Sequence, residues 1–372
     1  MIVTETLMGT ENPVYLQGDR AMSRKNVCIQ LVILLLACTF YIAPYIHPAN
    51  AKDPNIYIRA NGAIEPSNVS ISSLDNITYT FTADMINRSI IVEKSNIIID
   101  GMKHKLIGKG AFDVNVTGGF KINDVSGVTI RKVKISNCYW AVYLTQCNNC
   151  TIEENELTNN SYGIVPEWSN NSIILRNKIM NNHGGGIYLA NSLNFSIKQN
   201  LIASKHPFGI GLQASTNSTI TENVIANNDG VGIRILFSNN IRLLHNDFVN
   251  NVYNAFSQSS TIIWDDGSEG NYWSDYNGTD VNHDGIGDTP YAIDSNNADR
   301  YPFMRPLTLT LMGDINYDGV VNILDITIIG SAYGSKQTDP NYIPQADLAP
   351  PYGVINMLDA VTCAAHYAET FP

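Results

Sequence analysis

Asp314, Asn316, Asp318, Asn322 and Asp325 stand at positions 1, 3, 5, 9 and 12 of one short stretch, with Gly319 at position 6 and the carbonyl of Val320 at position 7. A hard divalent cation such as Ca2+ takes about six to eight oxygen ligands, and this spacing wraps oxygen donors around one ion. A second acidic stretch places Asp280, Asn282, Asp284 and Asp288 within nine residues, together with Gly285 and Gly287. It reads as a further Ca2+ loop, with a solvated, Asx-rich turn as the competing reading. Residues 347–359 repeat the ending of the first loop in Gly353, Asn356 and Asp359, but Ala349 and Pro351 stand where side-chain ligands belong and one residue is inserted. This half is expected to be a degenerate copy held by packing of Leu358, Val361 and Tyr367.

Two further constellations could do chemistry. His183, His206 and Asp229 follow one another at intervals of 23 residues. If the chain coils with that period, they form one surface column able to hold a transition metal or to give acid–base help to a sugar. A turn column that merely tolerates polar residues is the competing reading. Trp140, Tyr162 and Phe208 fall in another column, with Glu167 and Trp168 close in sequence. Flat aromatic faces beside polar groups can grip pyranose rings, and ordinary aromatic packing at turns is the alternative. Glycoside hydrolysis needs two carboxylates at a set separation, and a lyase needs a base with a charge-neutralising cation. No such catalytic constellation is legible in the sequence.

What must position these residues is a repeat. The Asn of Glu154-Asn155, Arg176-Asn177, Gln199-Asn200, Glu222-Asn223 and His245-Asn246 recurs at intervals of 22, 23, 23 and 23. A second Asn column runs Asn149, Asn171, Asn194, Asn217, Asn240, and a small, turn-like column runs Ala141, Gly163, Gly186, Gly209, Gly232. Apolar columns keep the same phase: Ile152, Ile174, Ile197, Ile220, Leu243; Leu157, Ile179, Ile202, Ile225, Phe248; and Val142, Ile164, Ile187, Ile210, Ile233. These segments are too short for helices and alternate as strands do. One coil cannot bury its apolar face alone, so coils stack about 4.8 Å apart around a common interior. The expectation is an all-β solenoid, a right-handed parallel β-helix with 22–23-residue coils, plus a small α-helical domain. Its Asn columns serve as turn residues in the left-handed conformation that pass amide hydrogen bonds between coils. The column Lys132, Glu154, Arg176, Gln199, Glu222, His245 reads as a solvent-facing, charge-balanced ladder.

The repeats, with Ile56-Tyr57-Ile58-Arg59-Ala60 at the start and Gly270-Asn271-Tyr272-Trp273-Ser274-Asp275-Tyr276 and Tyr301-Pro302-Phe303 at the close, resemble the NosD-like β-helix family, also described as carbohydrate-binding and sugar-hydrolysis repeats. The resemblance covers roughly residues 55–306. The loop from Asp314 with Asp325 at its twelfth position, followed by Ile326, Ile328 and Ile329, is similar to a type I dockerin half, and the 280–288 loop resembles thrombospondin type 3 calcium repeats. The dockerin resemblance implies a cohesin-like protein partner, although a calcium-stabilised cap or intramolecular clasp fits the same tail.

The implied organisation is 1–51 signal peptide or N-terminal anchor, 52–95 cap, 96–306 β-helix with a closing segment 271–306, and 311–372 dockerin-like domain. Arg20, Arg24 and Lys25 precede an apolar run from Val27 to Ile42 and then Ala49-Asn50-Ala51, the three regions of a secretory signal; a start at Met22 suits it equally. An uncleaved anchor is the competing reading, and it is the one route to a membrane. Secretion, the cell surface or a periplasm-like space follow. Ten Asn-x-Ser/Thr sequons, from Asn68 to Asn277, suit a glycosylated surface protein. With 44% hydrophobic and 15% charged residues the chain is a core-forming protein, and its net charge of −11 excludes a nucleic-acid-binding role. Outside the N-terminal segment only Cys138, Cys147, Cys150 and Cys363 remain, which is no disulfide scaffold; Cys138 either pairs with Cys147 or Cys150 or stays a buried thiol. The expected function is binding of a polysaccharide or glycoprotein, with Ca2+ and the dockerin-like module serving attachment. A polysaccharide-degrading hydrolase or lyase is the alternative, and periplasmic copper handling, which the NosD resemblance implies, is the third.

Overall fold

The computed structural model describes residues 55–111, 118–282, 284–307, 312–316 and 320–369. The N-terminal segment read as signal peptide or anchor and Asp318 lie outside the described residues. Residues 55–263 wind into a parallel β solenoid whose three sheets run the length of the stack, with strands after the first coil pairing with their equivalents one coil before and after. The first sheet contains Trp140–Thr145, Tyr162–Glu167, Gly185–Ala190, Phe208–Gln213, Val231–Leu236 and Tyr253–Gln258. Register follows the apolar columns residue for residue: Ile152 opposes Ile174, then Ile197, Ile220 and Leu243, and Val142 opposes Ile164, then Ile187, Ile210 and Ile233. All ten of these side chains are buried. Because strand side chains alternate, a one-residue slip would expose the whole column, which is why register is so tightly specified.

The corners show how Asn is used, and they divide the expected task between neighbouring residues. Left-handed backbone falls on Glu154, Arg176, Gln199, Glu222 and His245, with φ between 51° and 56°. The Asn that follows each of them is buried and points inward. There Asn155, Asn177, Asn200, Asn223, Asn246 and Asn271 form a continuous ladder: each side-chain Nδ2 donates to the next Oδ1 at 2.9–3.0 Å, and the same oxygen accepts the previous Asn backbone N–H. Asn149, Asn171, Asn194, Asn217 and Asn240 hold the left-handed turn itself, at φ 53–56°. A Ser ladder lines the corner after the first sheet, where Ser169, Ser192 and Ser215 each donate a backbone N–H to the hydroxyl one coil on. Buried backbone donors are thereby paired where no strand partner exists.

Gly163, Gly186 and Gly209 are not turn residues. Each lies inside a first-sheet strand, and a Cβ would come within 2.3–2.7 Å of the carbonyl oxygen one coil on. The coil wall is simply too close there for a side chain. Cys138, Cys147 and Cys150 are free thiols buried in the core.

Both ends of the stack are closed. At the start, antiparallel pairs Tyr57–Glu65 and Ile71–Phe81 interrupt the parallel ladder. At the close, Trp273 stacks between Phe248 (4.4 Å) and Tyr291 (4.3 Å), and Trp264 tilts against it. Asp299 terminates the Asn ladder by accepting from the Asn271 N–H (2.7 Å) and the Trp273 indole (2.9 Å). Burial pushes its carboxyl up to about 6.

Two short helices follow, α1 (Ile323–Ser331) and α2 (Met357–Ala365). Each begins with a capping box, Asn322 with Asp325 and Asn356 with Asp359, in which the N-cap amide oxygen and the third-position carboxylate exchange bonds with the backbone. The loops interlock with a 34-residue offset: Gly334 N–H donates to Ile355 C=O as Ala368 N–H does to Val321 C=O, and Ile355 N–H donates to Ser335 C=O as Val321 N–H does to Glu369 C=O. Ile315, Val321, Ile329, Ala346, Ile355 and Cys363 form the core between the halves. Leu358, Val361 and Tyr367, expected to hold the second half, are instead exposed.

Candidate functional site

The outward face of the first sheet carries the aromatic groups. Trp140 and Tyr162 are register partners, followed one coil at a time by Gly185, Phe208, Val231 and Tyr253. Three residues along each strand runs a parallel column, Lys121, Tyr143, Val165, then Tyr188, Gly211, Arg234 and Phe256. Trp140 stacks on Tyr143 at 4.6 Å, and the Tyr143 hydroxyl donates to Glu167 Oε2 at 2.8 Å. Burial beside that carboxylate raises the Tyr143 phenol. The Tyr188 hydroxyl donates to Gln213 Oε1, and its ring lies 5.8 Å from that of Phe208.

Glycines allow these rings to converge. A Cβ on Gly184 would lie 2.6 Å from the Tyr162 ring and one on Gly185 would lie 2.5 Å from the Phe208 ring. Phe208 is itself buried, at 6% exposure, so it is a platform and not a free stacking surface. On it lies the Arg234 guanidinium, its Cζ 4.4 Å from the ring centroid. Burial lowers the Arg234 pKa, opposed by the Tyr188 and Tyr162 phenols nearby. The column that includes Tyr143, Tyr188 and Arg234 was missed in the sequence, although it keeps the 22–23-residue phase; its signal was diluted by Val165 and Gly211.

Trp168 does not join this face. It occupies the corner after its strand, in left-handed conformation (φ 52°) and 61% exposed. The His183, His206, Asp229 column is likewise not formed. The coil between Asn182 and His206 carries an additional left-handed residue, Ser204 followed by Lys205, which shifts His206 into the buried amide ladder. There its Nδ1–H donates to Asn228 Oδ1 (2.6 Å) while Nε2 accepts from Asn182 Nδ2 (3.3 Å). His183 and Asp229 stay exposed.

This placement has a pH consequence. Burial lowers the His206 pKa from its ordinary value to about 4. Neutral His206 therefore favours the fold above the unfolded value near 6.5, and that stability is lost as pH falls toward 4, by up to about 3 kcal/mol. His206→Asn, which restores the amide found at Asn160, Asn182 and Asn228, is expected to flatten melting temperature against pH between 4 and 6.5 relative to the parent; an unchanged slope would rule this out.

In the 280–288 loop Asp280 accepts the backbone N–H groups of Asp284 (3.2 Å) and Gly285 (2.9 Å), with Gly285 at φ 87°. Asn282 Nδ2 donates to Asp284 Oδ2, and Asp288 Oδ2 accepts from the Val281 N–H. These carboxylates accept backbone N–H groups of the loop, and among the described residues no three His, Cys, Asp or Glu side chains gather to hold a metal. In the 314–325 loop, Asp325 accepts the N–H groups of Ile315, Asn316 and Asn322, and Asn322 donates to the Val320 carbonyl. Asp314 is buried at 5% exposure. A separate pocket of about 310 Å3 is lined by Glu222, His245, Glu269, Phe303 and Leu307, with His245 Nε2 2.9 Å from Glu269 Oε2.

The family model described as "Periplasmic copper-binding protein (NosD)" matches residues 67–278. The chain belongs to the NosD family. No curated protein matches the sequence. Among solved structures, the periplasmic alginate epimerase AlgG is similar at 15% identity, over 52% of this chain and 68% of that one, with a TM-score of 0.36. DFA-IIIase from Arthrobacter chlorophenolicus A6 is similar at 11% identity, over 51% of this chain and 50% of that one, with a TM-score of 0.33. The NosD family is by description periplasmic, in keeping with an exported protein, and no helix among the described residues is long and apolar enough to cross a membrane. The family name also implies copper, but the described residues of this NosD member do not gather three His, Cys, Asp or Glu side chains able to hold a metal. His206 is committed to the amide ladder, and Cys138, Cys147 and Cys150 to the core.

Proposed function

We propose that this protein binds a polysaccharide or the glycan of a glycoprotein across the outward face of its first sheet. The observation that carries this reading is the alignment of Trp140 and Tyr143 on one coil with Tyr162 and Tyr188 on the next two, flanked by Glu167 and Gln213. Aromatic bodies give a sugar its apolar contacts, while carboxylate and amide groups at the rim take its hydroxyls. Four coil steps from Trp140 to Arg234 span about 19 Å, long enough to hold several units of an extended chain. Ca2+ held by Asp280, Asn282, Asp284 and Asp288 would brace the closing segment, and Asp314, Asn316, Asp318, Val320, Asn322 and Asp325 would hold a second ion.

The helical pair is a dockerin-like attachment module in this reading. Its support is the 34-residue duplication of capping box and interlocked loops. That duplication leaves Ile323 and Leu324 exposed on one helix and Met357 and Leu358 at the equivalent places on the other. Apolar side chains presented in equivalent pairs suit a protein partner, a cohesin-like one by the resemblance noted above.

The test is a glycan-array screen of the full chain, with Ca2+ and again with chelator, with analysis of any released product. On a glycan that binds, Trp140→Ala and Tyr188→Ala should each weaken affinity about tenfold, the equivalent of about 1.4 kcal/mol. Chelation should lower the melting temperature by several degrees through loss of ligand-linked stability. Binding insensitive to both substitutions would displace the site from this face, and released oligosaccharides would make the protein an enzyme.

A further inference from the structure

Arg59 lies on the Tyr57 ring at the start of the first sheet, and Arg234 lies on an aromatic platform of its own. The Phe208 ring beneath it offers cation–π attraction but neither a counter-charge nor a hydrogen-bond acceptor. A guanidinium has five N–H donors in a planar fork. Among the described residues none of them meets a carboxylate or a hydrogen-bond acceptor, although Arg59, Arg131, Arg176 and Arg300 each pair with an Asp or Glu. None of the Arg234 nitrogens is a buried polar atom without a partner, so these donors face solvent and are open to a ligand. Arg234 is also held in place: Tyr188 packs on the same Phe208 ring, and the two rings fill the space above Gly211, where a Cβ would come within 3.0 Å of both. Beside these rings the Tyr188 hydroxyl engages Gln213 Oε1, leaving the Gln213 Nε2 as a further donor.

Resting on the glycan-binding reading above, we infer that the surface presented by Arg234, Tyr188 and Gln213 over the Phe208 ring is a subsite for an acidic sugar, recognised through its planar carboxylate. A guanidinium fork matches a carboxylate with two parallel N–H···O bonds, which a neutral hydroxymethyl group cannot reproduce. The chain's net charge of −11 does not oppose this locally. Glu167, the acidic group of the aromatic face, stands on a strand three coil steps from that of Arg234, a backbone separation of about 14 Å. The aromatic tract then supplies affinity, and Arg234 selects for charge.

The experiment is calorimetric titration of the full chain with oligogalacturonate and oligomannuronate, with the same oligosaccharides after carboxyl reduction, and with dextran sulfate. The parent should bind one of the uronates at least tenfold more tightly than its reduced form, and this preference should weaken with salt. Arg234→Gln should abolish the preference. Arg234→Lys should restore part of it, and Phe208→Leu, which removes the platform, should give an intermediate loss. Far-ultraviolet circular dichroism identifies any variant that fails to fold, and the parent's own preference then decides. Equal binding of uronate and reduced oligosaccharide, a preference surviving in Arg234→Gln, or selective binding of dextran sulfate alone overturns the acidic-sugar subsite while leaving the aromatic face intact. Silence toward every saccharide overturns both.

Discussion

Asn200→Leu is expected to destabilise the solenoid by about 4 kcal/mol, although the two side chains are close in volume. The Asn200 Oδ1 accepts both the backbone N–H (2.9 Å) and the Nδ2 (3.0 Å) of Asn177. Its own Nδ2 donates to Ile174 C=O, Lys198 C=O and Asn223 Oδ1 at 2.9–3.0 Å. Leucine fills the space but leaves the Asn177 donors and the Ile174 and Lys198 carbonyls without this partner in a water-free interior, at roughly 1–3 kcal/mol for each group that stays unpaired. Asn200→Asp keeps the acceptor and loses the donor, so it tests the same bonds with less change in shape. Urea denaturation read by circular dichroism measures the loss, and amide exchange shows whether the protection of Asn177 falls first. A Leu variant within 1 kcal/mol of the parent would mean that the ladder is ornamental and that the apolar columns alone specify the coil.

The second large effect is expected at the closing end. Trp273→Ala should cost about 4 kcal/mol, because it empties a slot between the Phe248 ring (4.4 Å, 6° between planes) and the Tyr291 ring (4.3 Å, 9°). It also removes the indole N–H that reaches Asp299 at 2.9 Å, leaving a buried carboxylate with one donor fewer. Trp273→Phe keeps a flat ring and loses the hydrogen bond, so it should recover more than half of the stability. Equal losses in the two variants would assign the effect to the Asp299 bond and not to the stack. A solenoid end is the place where such a defect spreads, since the last coil has a neighbour on one side only.

The candidate binding face and the closing structures differ in how they relate to the sequence. The Ile, Val and Leu columns and the buried Asn ladder recur at 22 or 23 residues, and parallel stacking turns equal spacing directly into contact. Sequence therefore determined the solenoid, its register and the side on which Trp140 and Tyr162 stand. The rule fails wherever a coil departs from the period. Between Asn182 and His206 the step is 24 residues, and the one added residue carries an imidazole from the surface into the amide ladder, because the buried donors at that corner need a partner. Nor does spacing reveal what glycine permits. That Phe208 lies buried beneath Arg234, and that the guanidinium is left open toward solvent, depends on the missing side chains at Gly185 and Gly211. The pairing of Asp299 with Asn271 and Trp273 across 28 and 26 residues lies outside the repeat altogether and exists only once the chain has folded back over its last coil. Periodic contacts are encoded by identity and spacing alone, whereas the cap, the displaced histidine and the uncompensated arginine arise from packing between residues that no period connects.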